Sequence, residues 1–154
     1  MAIYFLDSSA LLKRYVSETG TSWVQSLFDP AQHNHLAIGM ISGAEIVAAV
    51  SRRVKGAGLS ASEGLRVIRQ FRSDFQSEFE LIEINGAVIR TAMDLAERHA
   101  LRGYDAVQLA AASVLNGLSR SRGLGDITLV SSDHELNSAA VSHGINVDDP
   151  TLHP

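Results

Sequence analysis

Four acidic residues stand where their side chains could act together: Asp7, Glu45, Asp105 and Asp133. Carboxylates that are brought together raise one another's pKa and oppose folding unless a cation lies between them. Hard divalent cations such as Mg²⁺ or Mn²⁺ prefer oxygen ligands, and water on such a cation becomes a usable nucleophile toward phosphorus. The four acids therefore predict a divalent-metal site that hydrolyses phosphodiesters.

The apolar pattern predicts strands and helices that alternate through most of the chain. Strands are predicted over residues 2–6, 36–41, 79–84, 127–132 and 144–147. Helices are predicted over residues 9–16, 21–28, 42–55, 60–77, 87–99, 105–116 and 133–142. Such alternation favours an α/β fold with a central parallel sheet of about four to five strands and helices on both faces. The helix pair within residues 42–77 is expected to protrude as a hairpin.

This sheet would bring the acids together, because parallel strands end at the same edge and ligands bind there. Asp7 directly follows the first predicted strand, Glu45 lies in the first turn after the second, and Asp133 follows the strand that begins at residue 127. Asp105 joins them if the N-terminus of its helix points to that edge.

Helix capping is an alternative explanation for three of the acids. Glu45 is the fourth residue of a capping-box pattern that begins at Ser42. Asp105 could be an N-cap with Gln108 completing its box, and Asp133 could cap the last helix. The acid after the first strand is harder to explain in this way, because a carboxylate that ends a buried strand needs a partner.

Composition indicates one globular protein domain, residues 1–154, with hydrophobic residues at 45%. The absence of cysteine excludes disulfides, thiolate zinc sites and cysteine nucleophiles. No apolar stretch reaches the roughly 18 residues of a membrane span, so we expect a cytoplasmic protein without a membrane partner. The net charge of −4, from 13 basic and 17 acidic residues, argues mildly against a nucleic-acid binder. A metal that neutralised four of these acids would remove that objection.

Four runs occur in this order along the chain: YFLDSSALLKRY, SGAEIVAAV, LRGYDAVQLAAA and LVSSDHELNSAA. They resemble PIN domains, and among these the VapC-type toxins, over nearly the whole chain from Ile3 to Val147. The resemblance implies a PIN-like fold with an acidic pocket at the edge of its sheet. It also implies a Mg²⁺- or Mn²⁺-dependent endoribonuclease.

The resemblance also implies roles for individual residues. Asp7, Asp105 and Asp133 would be catalytic metal ligands, and Glu45 would ligate the metal or orient the attacking water. Two hydroxyl side chains would support them, which are those of Ser131 and Ser8. Ser131 stands where many relatives carry threonine, and it would position a carboxylate or water by a hydrogen bond. In such proteins a small antitoxin covers the helical hairpin, here residues 42–77, and homodimers are common.

Basic residues near the proposed pocket are candidate RNA contacts, namely Lys13, Arg14, Arg120 and Arg122. The last two fall in residues 117–126, GLSRSRGLGD, for which the glycines predict a mobile loop near the pocket. A solvated surface is the alternative for all of them.

Two other functions remain open on the sequence alone. A metal-dependent phosphatase of another α/β type would also place aspartates at strand ends, although Asp7-Ser8-Ser9 lacks the second acid of a D-x-D motif. A non-catalytic module could instead use the PIN scaffold to bind a basic protein partner through the four acids.

Overall fold

A central sheet of five short strands organises the computed structural model, which describes residues 1–153. The strands are β1 (Ile3–Leu6), β2 (His35–Gly39), β3 (Glu80–Ile82), β4 (Thr128–Val130) and β5 (Asn146–Asp148). Their order across the sheet is β3-β2-β1-β4-β5, and every neighbouring pair is parallel. The predicted α/β architecture with a parallel sheet is therefore confirmed, with β1 at its centre.

Within residues 1–153, seven α-helices connect the strands. They are α1 (Ser8–Leu11), α2 (Thr21–Ser26), α3 (Ser42–Lys55), α4 (Ala61–Ser77), α5 (Gly86–His99), α6 (Gly103–Ser121) and α7 (His134–Ser142). Single turns of 3-10 helix lie at Leu12–Arg14, Pro30–Gln32 and Pro150–Leu152. Among the residues described, no helix combines the length and the apolar character that crossing a bilayer requires.

Helices cover both faces of the sheet because both faces of each central strand are apolar. Phe5 and Leu6 are adjacent in β1 and fully buried, yet they belong to separate core clusters. Successive strand residues point to opposite faces, so this separation marks the two sides of the sheet. One cluster takes its helical residues from α5, α6 and α7, and the other takes them from α1, α2, α3 and α4.

The predicted helical hairpin consists of α3 and α4. Ser60 caps α4 in a complete capping box with Glu63, which fixes where the second helix begins. Gly64 lets the two helices approach closely, because a Cβ atom at this position would lie 2.3 Å from a methyl carbon of Val54. The hairpin is thus held by direct helix contact.

Helix α6 is longer than the sequence predicts, and the loop predicted over residues 117–126 is wrong for its first half. Gly117 costs about 1 kcal/mol relative to alanine within a helix, but tertiary contacts hold the helix beyond it. The Asn116 side chain accepts a hydrogen bond from the backbone N–H of Ile127 at 3.0 Å. The Ser119 hydroxyl donates to the carbonyl of Gly125 at 2.7 Å.

Candidate active site

The carboxyl edge of the three central strands carries the predicted acids. Asp7 follows β1, Glu45 lies in the first turn of α3 after β2, and Asp133 precedes α7 after β4. Asp105 lies in the first turn of α6. The charge of Asp105 raises the pKa of both Asp7 and Glu45, and that of Asp133 raises the pKa of Asp105. The four acids are therefore near enough to influence one another.

Asp7 is the most rigidly held of the four, with 4% of its surface exposed. Its Oδ1 accepts hydrogen bonds from the Ser9 hydroxyl at 2.7 Å and the backbone N–H of Ala10 at 3.0 Å. Its Oδ2 accepts one from the Ser131 hydroxyl at 3.0 Å. Burial nevertheless raises the pKa of Asp7 to about 6, and the charge of Asp105 adds to the rise while the three hydrogen bonds oppose it.

Two serines tie β1 to the segment after β4. The Ser131 hydroxyl, which donates to Asp7, also accepts from the backbone N–H of Asp133 at 3.0 Å. The Ser9 hydroxyl accepts from the backbone N–H of Ser132 at 2.9 Å. Sequence reasoning identified Ser131 and missed Ser9, although a serine two residues after a site carboxylate was a visible signal. One continuous chain of hydrogen bonds thus joins two of the acids.

Glu45 is oriented by a glutamine on α6. The side-chain N–H group of Gln108 donates to Glu45 Oε1 at 2.8 Å, to Ser42 Oγ at 3.0 Å and to Ser8 Oγ at 3.3 Å. Burial raises the pKa of Glu45 and the charge of Asp105 raises it further, whereas the bonds with Gln108 and Ser8 lower it. Gln108, considered in the sequence only as a helix cap, thus connects three elements of the site.

The capping explanations for Glu45 and Asp105 are wrong. Ile41, not Ser42, is the N-cap of α3, and no side chain caps that helix. Arg102 is the N-cap of α6, so that Asp105 lies inside the first turn. Neither acid is needed to begin its helix.

Asp133 does cap its helix, as the capping alternative proposed. Its Oδ1 accepts from the backbone N–H of Leu136 at 2.9 Å. Its second oxygen, Oδ2, accepts from the side chain of Arg102 at 2.9 Å, and Arg102 also donates to Asp105. A capping role and a place in the acidic cluster are therefore compatible in one carboxylate.

Arg102, which sequence reasoning missed, binds two of the acids at once. Its Nε donates to Asp105 Oδ2 at 3.0 Å and its Nη2 to Asp133 Oδ2 at 2.9 Å. Burial is the largest cause of the raised pKa of Asp105, followed by the charge of Asp133, and the Arg102 guanidinium opposes both. The visible signal was an arginine three residues before an acid in a helical segment.

The site as it stands is arranged around this arginine. Among residues 1–153, no three carboxylate or imidazole side chains form a group that could hold a metal ion. The donors are nevertheless of the right kind, since carboxylate oxygens are the ligands that Mg²⁺ and Mn²⁺ prefer. Two of these carboxylates are engaged by a side chain with 57% of its surface exposed, which has room to move.

Lys13 and Arg14 are not solvated cations available for RNA. Lys13 is only 6% exposed and forms an ion pair with Glu18 at 3.2 Å. Arg14 pairs with Asp74 at 3.4 Å, and its guanidinium carbon lies 3.6 Å from the centroid of the Phe28 ring. Both charges are neutralised inside the fold, which does not support the RNA-contact hypothesis.

Arg120 and Arg122 lie far from the acids, contrary to their predicted position near the pocket. Arg120 is in the last turn of α6, and Arg122 is the C-cap of that helix. A helix rises about 1.5 Å per residue, so Arg120 is about 22 Å along the axis from Asp105. Arg120 also forms an ion pair with Asp126. These arginines therefore face a different end of the molecule.

Comparison with known proteins places this arrangement in a family. The family model of the PIN domain matches residues 4–141. Ribonuclease VapC45 of Mycobacterium tuberculosis is 30% identical over 156 residues, and the alignment covers all of both chains.

Two solved structures share the fold. PAE2754 from Pyrobaculum aerophilum superposes with a TM-score of 0.65 at 18% identity, covering 99% of this chain and 86% of that one. A toxin-antitoxin complex from Klebsiella pneumoniae gives a TM-score of 0.63 at 17% identity, covering 97% of this chain and 98% of its counterpart. With the family model spanning most of the sequence and a relative matching from end to end, the chain belongs to the PIN-domain family.

Proposed function

We propose that this protein is a metal-dependent endoribonuclease and the toxin of a toxin-antitoxin pair. The observation that carries the proposal is the gathering of four acids at one sheet edge, where burial and mutual repulsion raise the pKa of Asp7, Glu45 and Asp105. Carboxyl groups whose pKa values are raised by burial and by one another's charge are typical of a site that binds cations. The relative named as a ribonuclease supports RNA as the substrate.

Asp7, Asp105 and Asp133 would hold the divalent cation, and Glu45 would either complete its shell or orient the attacking water. We propose Mg²⁺ or Mn²⁺, because every donor is an oxygen. Such a cation lowers the pKa of a coordinated water and stabilises the charge that develops on phosphorus.

The surrounding residues of this chain position the acids. Ser131 and Ser9 donate hydrogen bonds that restrict the orientation of Asp7, and Gln108, which also donates to Ser8, donates one that restricts Glu45. Fixed carboxylates lose little further conformational freedom when ligand binds, which favours binding of the cation. Ser131 and Ser8, expected from the resemblance to support the acids, are proposed here as positioning residues.

An antitoxin would bind over the α3–α4 hairpin. Between these helices lies an open apolar groove of about 610 Å³, lined among others by Val47, Phe71 and Phe75. A structural neighbour is a toxin-antitoxin complex, and another is VapBC2 from Rickettsia felis bound to a DNA fragment from the promoter. These neighbours support a protein partner of the antitoxin kind, and the apolar lining of the groove is what favours this surface for it.

A homodimer would use the opposite side of the molecule. Three of the exposed large apolar side chains of α5 and α6 lie close together there, Ile89 at 41%, Met93 at 65% and Tyr104 at 46%. They surround a mainly apolar depression of about 360 Å³. Exposed apolar surface of this kind supports a contact between copies of the chain.

RNA cleavage tests the proposed function directly. The purified protein is incubated with structured and unstructured RNAs in EDTA, Mg²⁺ or Mn²⁺, beside Asp7→Asn and the distant control Arg120→Gln. We expect internal cleavage only with a divalent cation, retained in the control and lost in Asp7→Asn. Hydrolysis of a small phosphomonoester without RNA cleavage would favour the phosphatase, and absence of any hydrolysis would favour the binding module; either result contradicts the proposal.

A further inference from the structure

We propose that Arg102 is an internal competitor for the divalent cation, occupying the acidic site until a cation displaces it. The inference rests on the proposed function and concerns how the site is controlled. A single guanidinium donates to Asp105 Oδ2 at 3.0 Å and Asp133 Oδ2 at 2.9 Å. One positive charge thus bridges the two acids from α6 and α7 that the proposed cation would use.

The bridge and the cation compete for the same two carboxylates, because the bridge occupies Oδ2 of each and Asp133 Oδ1 already accepts from the backbone N–H of Leu136. A carboxylate oxygen that accepts a charged hydrogen bond at this distance has no room for a cation on the same side. Two acids with one arginine between them also carry less negative charge than two free acids, which weakens the attraction for a second cation. Arg102 therefore has to leave before Asp105 and Asp133 can act as ligands.

The position of Arg102 allows it to leave. Its side chain is 57% exposed, whereas that of Asp105 is only 7% exposed. Arg102 precedes the first helical residue of α6. Its guanidinium carbon lies over the ring of Tyr104, 5.4 Å from the ring centroid. Exposed ion pairs are weak and are screened by salt. The anchored acids thus remain in place while the arginine moves.

Binding of Mn²⁺ to the protein alone tests this competition. Titration calorimetry is performed on the wild type, on Arg102→Gln, and on Arg120→Gln, which removes an exposed arginine from an ion pair with Asp126 far from the site. Weak exposed pairs imply that Arg102→Gln lowers the Kd for Mn²⁺ by about threefold to tenfold. The control should retain the wild-type Kd.

A second measurement follows the arginine itself. In EDTA, the Nε–H resonance of Arg102 should be shifted and slow to exchange with water, because Nε donates to Asp105. Saturating Mg²⁺, which is diamagnetic, should move this resonance to the position of a solvated arginine. Arg102→Lys should bind Mn²⁺ with an intermediate Kd, because a lysine keeps the positive charge and lacks the planar fork that holds two carboxylates at once.

The outcomes separate this inference from the proposed function. An unchanged or higher Kd in Arg102→Gln, or an Nε–H signal that Mg²⁺ does not alter, overturns the competition while a wild-type protein that binds Mn²⁺ keeps its proposed function. If neither the wild type nor Arg102→Gln binds Mn²⁺, the proposed metal site fails and the inference fails with it.

Discussion

The acidic site has two halves, Asp7 on one side and Asp105 with Asp133 on the other, and their carboxylates have different hydrogen-bond partners. Asp7 is buried and receives three hydrogen bonds from its surroundings, and its pKa is raised to about 6. Asp105 and Asp133 share an exposed guanidinium. One half is therefore held by neutral donors, and the negative charge of the other is partly offset by one exposed arginine. The contrast suggests that the first half sets the geometry of the site and the second controls access to it.

The comparison predicts the largest effect at the carboxylates themselves. Asp7→Asn and Asp105→Asn should each reduce RNA cleavage by about a thousandfold, since a lost ligand removes several kcal/mol of charge stabilisation. Single-turnover cleavage in saturating Mn²⁺ measures this, and circular dichroism checks that both variants are folded. Full activity in Asp105→Asn would remove this residue from the mechanism.

The stability of the metal-free protein should depend on pH because the buried carboxyl of Asp7 titrates differently in the folded and unfolded states. Because the pKa of Asp7 rises from 3.8 to about 6 on folding, the native state binds more protons than the unfolded state between these values. The contribution of Asp7 is thus fully present below about pH 4 and is lost as the pH rises through about 6. Over this window we expect the free energy of unfolding to decrease by about 3 kcal/mol.

Urea unfolding in EDTA at several pH values measures this dependence. Asp7→Asn should reduce the slope of the free energy of unfolding against pH, and part of the slope should remain because burial also raises the pKa of Glu45 and Asp105. Mg²⁺ should restore stability above pH 6 in the wild type only. A wild-type curve in EDTA that rises over the same window would show that the pKa of Asp7 is lowered by folding.

Removing the Ser131 hydroxyl, which links Asp7 to the backbone of Asp133, should reduce RNA cleavage less than losing a carboxylate does. Ser131→Ala leaves Asp7 Oδ2 and the backbone N–H of Asp133 without their shared partner, which costs about 1–3 kcal/mol for each buried group left unsatisfied. Cleavage should decrease by about tenfold, as for other groups that orient ligands. Ser131→Thr keeps the hydroxyl and should cleave at the wild-type rate. Equal rates for the alanine and threonine variants would mean that the hydroxyl does not position Asp7.

We expect the smallest effect on cleavage and stability from replacing Arg120, whose ion pair lies outside the site. Arg120→Gln removes an exposed ion pair with Asp126, and such pairs contribute little. Neither the cleavage rate nor the Tm should change measurably. Loss of RNA binding in this variant, measured by fluorescence anisotropy, would instead restore Arg120 as an RNA contact at a distance from the acids.

The sequence alone was sufficient for the architecture and for the placement of the acids near the carboxyl edge of the sheet, whereas their role as metal ligands stays a prediction. Strand periodicity and the order of the elements predict a parallel sheet, and acids that follow parallel strands meet at one edge. Asp7, Glu45, Asp105 and Asp133 were identified in this way. These inferences succeed because they depend on local pattern and on a topological rule, and neither requires knowledge of side-chain conformation.

Tertiary structure decided which side chains complete the site. Gln108 reaches Ser42 and Glu45 on another helix, and Arg102 reaches Asp133 across 31 residues of sequence. The continuation of α6 beyond Gly117 likewise depends on contacts with residues that follow the helix. The contacts of Gln108 and Arg102 join distant parts of the chain, and those that extend α6 need the chain to turn back on the helix. In both cases the stabilising energy exists only after folding, so no local pattern could reveal it.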